Sequence, residues 1–138
     1  MANRRKKSPT HLAFESNRES GKFTKVCNDM MNSLAWKQLN LRQQGLYLLL
    51  KSKFTIYKDK TNNADNISLP KAEAQTIYGD LRTFRNDIDS LIEYGFIKII
   101  QSGWNTRTVN IYGFSNKWIS YGTSDFNISI TDKRNRKA

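Results

Sequence analysis

Between Leu81 and Glu93 the apolar residues fall at helical spacing. Leu81, Phe84, Ile88, Leu91 and Ile92 share one face, and Arg82, Arg85, Asn86, Asp89 and Glu93 share the opposite one. Asp80 can cap this helix and Gly95 can stop it. Upstream, Phe23-Thr-Lys-Val26 alternates like a strand stub. Asn28 or Asp29 then caps a first helix carrying Met30, Met31, Leu34, Ala35 and Leu39 and ending near Asn40, with both methionines in the core. Asn40-Leu-Arg-Gln43 has the form of a capping box, and it opens the most hydrophobic helix, with Leu46, Tyr47, Leu49, Leu50, Phe54 and Tyr57 at mixed spacings of three and four.

Lys58 to Asn66 is polar throughout and reads as a solvated loop, after which Ile67-Ser-Leu69 makes a very short strand. Proline is tolerated in a first helical turn, so a helix from Pro70 to about Thr76 follows, with Ser68 as its expected cap. Ile77-Tyr78-Gly79-Asp80 supplies a tight turn into the Leu81 helix, and two helices so joined make a helix-turn-helix. Phe96 to Ile100 is β-branched and half-buried in pattern, Ser102 to Arg107 reverses the chain, and Val109 to Phe114 returns. Trp118, Ile119 and Tyr121 should pack back onto the domain. Phe126 to Ile130 alternates like one more strand. The fold class expected is α+β, with three to four helices, a C-terminal hairpin and a short third strand.

The first two turns of the Leu81 helix carry Arg82, Thr83, Arg85 and Asn86 outward, whereas the later turns become acidic. Arginine can donate to guanine acceptors, asparagine can pair with adenine, and either can hold phosphate, so this face suits the major groove of DNA. Net charge supports that direction. The chain of 138 residues carries +11, and the excess is uneven. Residues 1–22 hold six bases against two acids, for +4; residues 132–138 hold four bases against one acid, for +3; the middle keeps the remaining +4. Two basic tails flank a modestly basic domain, as expected of arms that neutralise phosphates and release counterions. The expected organisation is a basic tail over 1–22, a domain over 23–121 and an extension with a basic tail over 122–138.

The order helix, helix, short strand, helix, turn, helix, strand, loop, strand resembles the winged-helix family of DNA-binding domains. The wording of Phe23-Thr-Lys-Val26, Leu81-Arg-Thr-Phe84, Leu91-Ile-Glu-Tyr-Gly-Phe96 and Ile111-Tyr-Gly-Phe-Ser115 is similar to small winged-helix proteins of Gram-positive plasmids, conjugative elements and phages. The resemblance runs from about Phe23 to Tyr121. It implies a winged helix-turn-helix whose role is sequence-selective binding of double-stranded DNA. That role would be as an accessory in origin recognition, for replication or conjugative transfer, or as a regulator of transcription. On that reading Arg82, Thr83, Arg85 and Asn86 meet the major groove. Trp104, Asn105 and Arg107 lie at the wing, Lys71 and Lys98 are secondary phosphate ligands, and Arg4, Arg5, Lys6 and Lys7 wrap the backbone.

Protein components of a replication, transfer or transcription complex are the alternative partner, met through the first helix, the wing or the Trp118 region. A homodimer through the first helix or the C-terminal segment is compatible with either reading. RNA ranks low, because no aromatic platform on a sheet is evident. Chemistry finds little footing. His11 lies in the tail, Cys27 stands without a neighbouring histidine, metal-ligand spacing is absent, and Asp87 and Asp89 point to different faces. No catalytic group and no metal or other cofactor is therefore expected. A single cysteine cannot form an internal bridge, no apolar run reaches the length of a membrane span, and the basic N-terminus lacks the apolar stretch of a secretion signal. The expected location is cytoplasmic.

Overall fold

The computed structural model describes residues 11–18, 21–103 and 109–128. Helices α1 (Asn28–Met31), α2 (Leu34–Gln38), α3 (Leu41–Ser52), α4 (Lys71–Tyr78) and α5 (Leu81–Glu93) precede strands β1 (Ile97–Gln101) and β2 (Ile111–Phe114), and a single 3-10 turn spans Lys117–Ser120. Several helices followed by a two-stranded antiparallel hairpin make a mixed α+β arrangement, consistent with a winged helix. Among the described residues no helix is long and apolar enough to cross a membrane.

The expected first helix is two helices. The Ser33 hydroxyl donates to the Met30 carbonyl at 2.6 Å and accepts from the Trp36 amide at 3.1 Å, so one side chain ends α1 and caps α2. Cys27 is the N-cap of α1 and gives no side-chain bond, so neither Asn28 nor Asp29 caps it. The break turns Met31 and Leu34 outward, and the core on this side is made by Ala35, Trp36 and Leu39. Phe23 to Val26 forms no strand; its exposed backbone finds no partner sheet, and Phe23 rests edge-on against His11.

The capping box forms as expected: the Gln43 amide donates to Asn40 Oδ1 at 2.8 Å and the Asn40 amide donates to Gln43 Oε1 at 3.0 Å. Helix α3 ends at Ser52, so Phe54 and Tyr57 lie beyond it; Phe54 packs edge-on against Phe114 and Tyr57 is exposed. The following loop is ordered by Asn63, whose side chain accepts from the Thr55 amide and donates to the Lys53 carbonyl, and by a bridge between Ile56 and Asn62. The short strand at Ile67 reduces to one bridge, in which Ile67 and Tyr112 exchange two backbone hydrogen bonds.

Ser68 does not cap α4. Pro70 occupies the N-cap without a side-chain bond, and the helix runs on to Tyr78. Gly79 takes a left-handed backbone at φ 70°, and Asp80 then caps α5 by accepting from the Arg82 amide at 2.9 Å. Gly95 ends α5 at φ 87°, and a Cβ there would lie 2.6 Å from the Trp118 amide nitrogen, so no other residue fits without movement. β1 and β2 pair Ile97 with Phe114, Lys98 with Gly113 and Ile99 with Tyr112, with a bulge at Ile100.

The core joins all these elements. Trp36, Tyr47 and Phe96 meet edge-on with centroids 5.6–5.7 Å apart, and Trp118 stacks on Phe96 at 6.1 Å, so the segment after the hairpin does pack back. Tyr121 also packs, against Tyr94, but Ile119 points to solvent. Phe126 to Ile128 form no strand, and Ser129 and Ile130 lie outside the described residues.

Candidate nucleic-acid interface

Helix α5 presents its polar face as its periodicity requires. Phe84, Ile88, Leu91 and Ile92 are buried, and Arg82, Arg85, Asn86 and Glu93 are exposed. Among the described residues neither the Arg82 nor the Arg85 guanidinium makes a hydrogen bond or ion pair. Both are therefore available to an external acceptor. Thr83 is half-buried, its hydroxyl turned toward the Asp80 carboxylate at 3.4 Å, which occupies part of its capacity for a phosphate. Lys71 is exposed at the first position of α4.

Lys98 stands apart from this group. It lies on β1 opposite Gly113, with its Nζ 3.9 Å from Asp65 Oδ1, on a sheet position that places it beside the Asn63–Asn66 loop. Its charge already has a local counterpart. Trp104, Asn105 and Arg107 of the hairpin loop, and Arg4, Arg5, Lys6 and Lys7 of the N-terminal segment, lie outside the described residues.

The strongest polar feature was not anticipated. Asp87, expected to point away from the face of Asp89, has a side chain only 1% exposed and takes a bidentate pair from Arg42 of α3. Arg42 Nε donates to Oδ2 at 2.6 Å and Nη2 to Oδ1 at 2.9 Å, and Gln43 Nε2 adds a longer bond at 3.3 Å. Burial alone would push the Asp87 carboxyl up; the donors from Arg42, the nearby Tyr78 hydroxyl and Gln43 outweigh it and hold the carboxyl below its ordinary range. The Arg42 guanidinium is correspondingly raised, first by its bond to Asp87. Tyr78 is raised by burial and then by the carboxylate, although its buried hydroxyl approaches without meeting hydrogen-bond geometry.

One signal for this pair was present in the sequence. The i−3 and i+4 neighbours of Asp87 on the helical wheel are Phe84 and Leu91, both core, so its carboxylate had to enter the domain and find a cation there. Which cation was not readable, since Arg42 lies 45 residues away. The pair ties the start of α3 to the middle of α5 and so fixes the rotation of the exposed Arg82, Arg85 and Asn86 face. Beside it, Arg42, Gly45, Leu46 and Leu49 of α3 and Ile77, Tyr78 and Thr83 enclose an open groove of about 590 Å³.

The chain matches no family model, no curated protein and no solved structure.

Proposed function

We propose that this protein binds double-stranded DNA with sequence selectivity, as a winged helix-turn-helix in which α5 enters the major groove and the β1–β2 hairpin is the wing. The observation that carries this reading is the face of α5. Two arginines and an asparagine stand exposed and, among the described residues, unpaired within two turns, on a helix braced by an ion pair to its buried Asp87 and stopped by Gly95. Braced side chains of these types offer bidentate donors to guanine and a donor–acceptor pair to adenine. The basic excess toward both ends of the chain supports it by adding sequence-independent attraction to phosphate. In this role the protein acts in the cytoplasm, in origin recognition for replication or transfer of a mobile element, or in control of transcription.

Selection of bound sequences from a random duplex pool tests it. Arg85→Ala should cost about 1–3 kcal/mol on the selected sequence and far less on random DNA. Equal losses on both would reduce Arg85 to a phosphate grip, and failure to enrich any sequence would end the reading.

One observation favours a protein contact in addition. Leu34 of α2 is 61% exposed and lies beside Gly122, and Ile119 of the 3-10 turn is 67% exposed, so apolar side chains stand in solvent both on α2 and on the segment after the hairpin. A second copy of the chain covering these side chains would bring two α5 helices into one symmetric assembly.

A further inference from the structure

The Arg42 guanidinium has a use beyond its partner. Five N–H donors sit on a guanidinium, and Asp87 takes two, leaving three on a side chain that is 53% exposed. Asp87 itself is buried, so the pair is oriented: its negative end faces the core and its positive end faces solvent. The N-terminal end of α3, where Arg42 is the second residue, adds a positive field in the same place.

Its position matters as much as its charge. Asp87 follows Asn86 and stands one helical turn after Thr83, and Arg42 and Thr83 line the same groove. The free donors of Arg42 therefore flank the exposed face of α5 on its α3 side. We infer that Arg42 is a phosphate-binding residue, taking one phosphodiester of the duplex backbone beside the bases met by α5. This rests on the DNA-binding reading and names a contact within it. A guanidinium fork matches two phosphate oxygens, and one already pinned by Asp87 loses little further freedom on binding. Asp87 is then a positioning residue, and the two act in series: carboxylate to guanidinium to phosphate.

The arginines of α5 and the lysine of β1 differ in kind. Arg82 and Arg85 are unpinned and suited to base edges, and Lys98 is paired with Asp65. Arg42 alone among the described residues combines a buried anchor with an outward guanidinium.

A methylphosphonate scan of the selected duplex, neutralising one phosphate at a time, tests this. Wild-type protein should lose about tenfold at each phosphate held by a pinned cation, and one of those positions, beside the bases met by α5, is the one Arg42 holds. The double variant Arg42→Met/Asp87→Leu, which replaces the pair by apolar volume, should bind the unmodified duplex about tenfold more weakly and be insensitive to that substitution. Asp87→Asn keeps the guanidinium and loosens it, so it should lose only part of the sensitivity; thermal unfolding confirms that each variant is folded. If the double variant shows the same position-by-position profile as wild type, Arg42 holds no phosphate and this proposal alone fails. If wild-type protein binds no duplex at all, the proposal falls together with the reading beneath it.

Discussion

Arg42→Ala is the sharpest perturbation of the structure, because it strands a buried carboxylate. Asp87 is 1% exposed and would keep only the Gln43 amide at 3.3 Å, a long bond, in place of two from the guanidinium at 2.6 and 2.9 Å. Removing one partner of a fully buried pair costs about 3–5 kcal/mol. Arg42 is half-exposed, so water can enter the space it leaves, and the loss should fall short of that range, at about 1–3 kcal/mol, the cost of a buried acceptor left short of donors. For a chain of this size that is a fall in Tm of roughly 3–10 °C.

The pH dependence should change as well as the size. In wild type the folded carboxyl lies below its unfolded value of about 3.9, so the pair's stabilisation is present above that pH and is lost as pH falls through the folded value. In Arg42→Ala, burial is opposed only weakly and the folded carboxyl rises above the unfolded one. The deficit of the variant is then complete at neutral pH and shrinks as acid protonates the buried group. Urea unfolding followed by tryptophan fluorescence at pH 7 and pH 4.5 measures both, since Trp36 sits in the core and Trp118 packs against it. A loss below about 1 kcal/mol at pH 7, or a loss of the same size at both pH values, would refute the account of this pair.

Two further outcomes follow from the packing. Gly95→Ala should destabilise by more than about 2 kcal/mol in urea unfolding, because it adds a left-handed backbone penalty to a Cβ placed 2.6 Å from the Trp118 amide nitrogen; near-UV dichroism should report the displaced Trp118 ring. Leu34→Glu with Ile119→Glu should leave monomer stability within about 0.5 kcal/mol, both side chains being exposed, while light scattering shows any dimer of the wild type converted to monomer. A wild-type protein that stays monomeric at high concentration removes the second-copy reading.

What could be read from the sequence was what is decided within a few residues. The Asn40–Gln43 box, the Asp80 cap, the Gly79 turn, the amphipathic α5 and the Gly95 stop all depend on neighbours three or four positions away, and all appear. Where local rules competed, the reading failed. Ser33 could end one helix and start another as readily as sit inside a longer one, and its hydroxyl does both. Ser68 stands too far before the helix start at Lys71 to reach its free amides, and the N-cap fell to Pro70. Phe23 to Val26 had the alternation of a strand but no edge to join, and alternation without a partner carries no structure.

The candidate site divides along the same line. Exposure of Arg82, Arg85 and Asn86 follows from the period of α5, whereas the brace that holds them does not, because Arg42 and Asp87 meet only once α3 and α5 have packed. The buried carboxylate is costly where a leucine would have packed without penalty, so burial alone does not account for it. A carboxylate there restricts α5 to the rotation at which its two oxygens meet the Arg42 fork. That same rotation turns the two free arginines outward. The apolar face of α5 and the Arg42–Asp87 pair thus favour the same rotation, and the pair links fold stability to the aim of the candidate DNA face. Variants at Asp87 should therefore move affinity and stability together, whereas variants at Arg85 should move affinity alone.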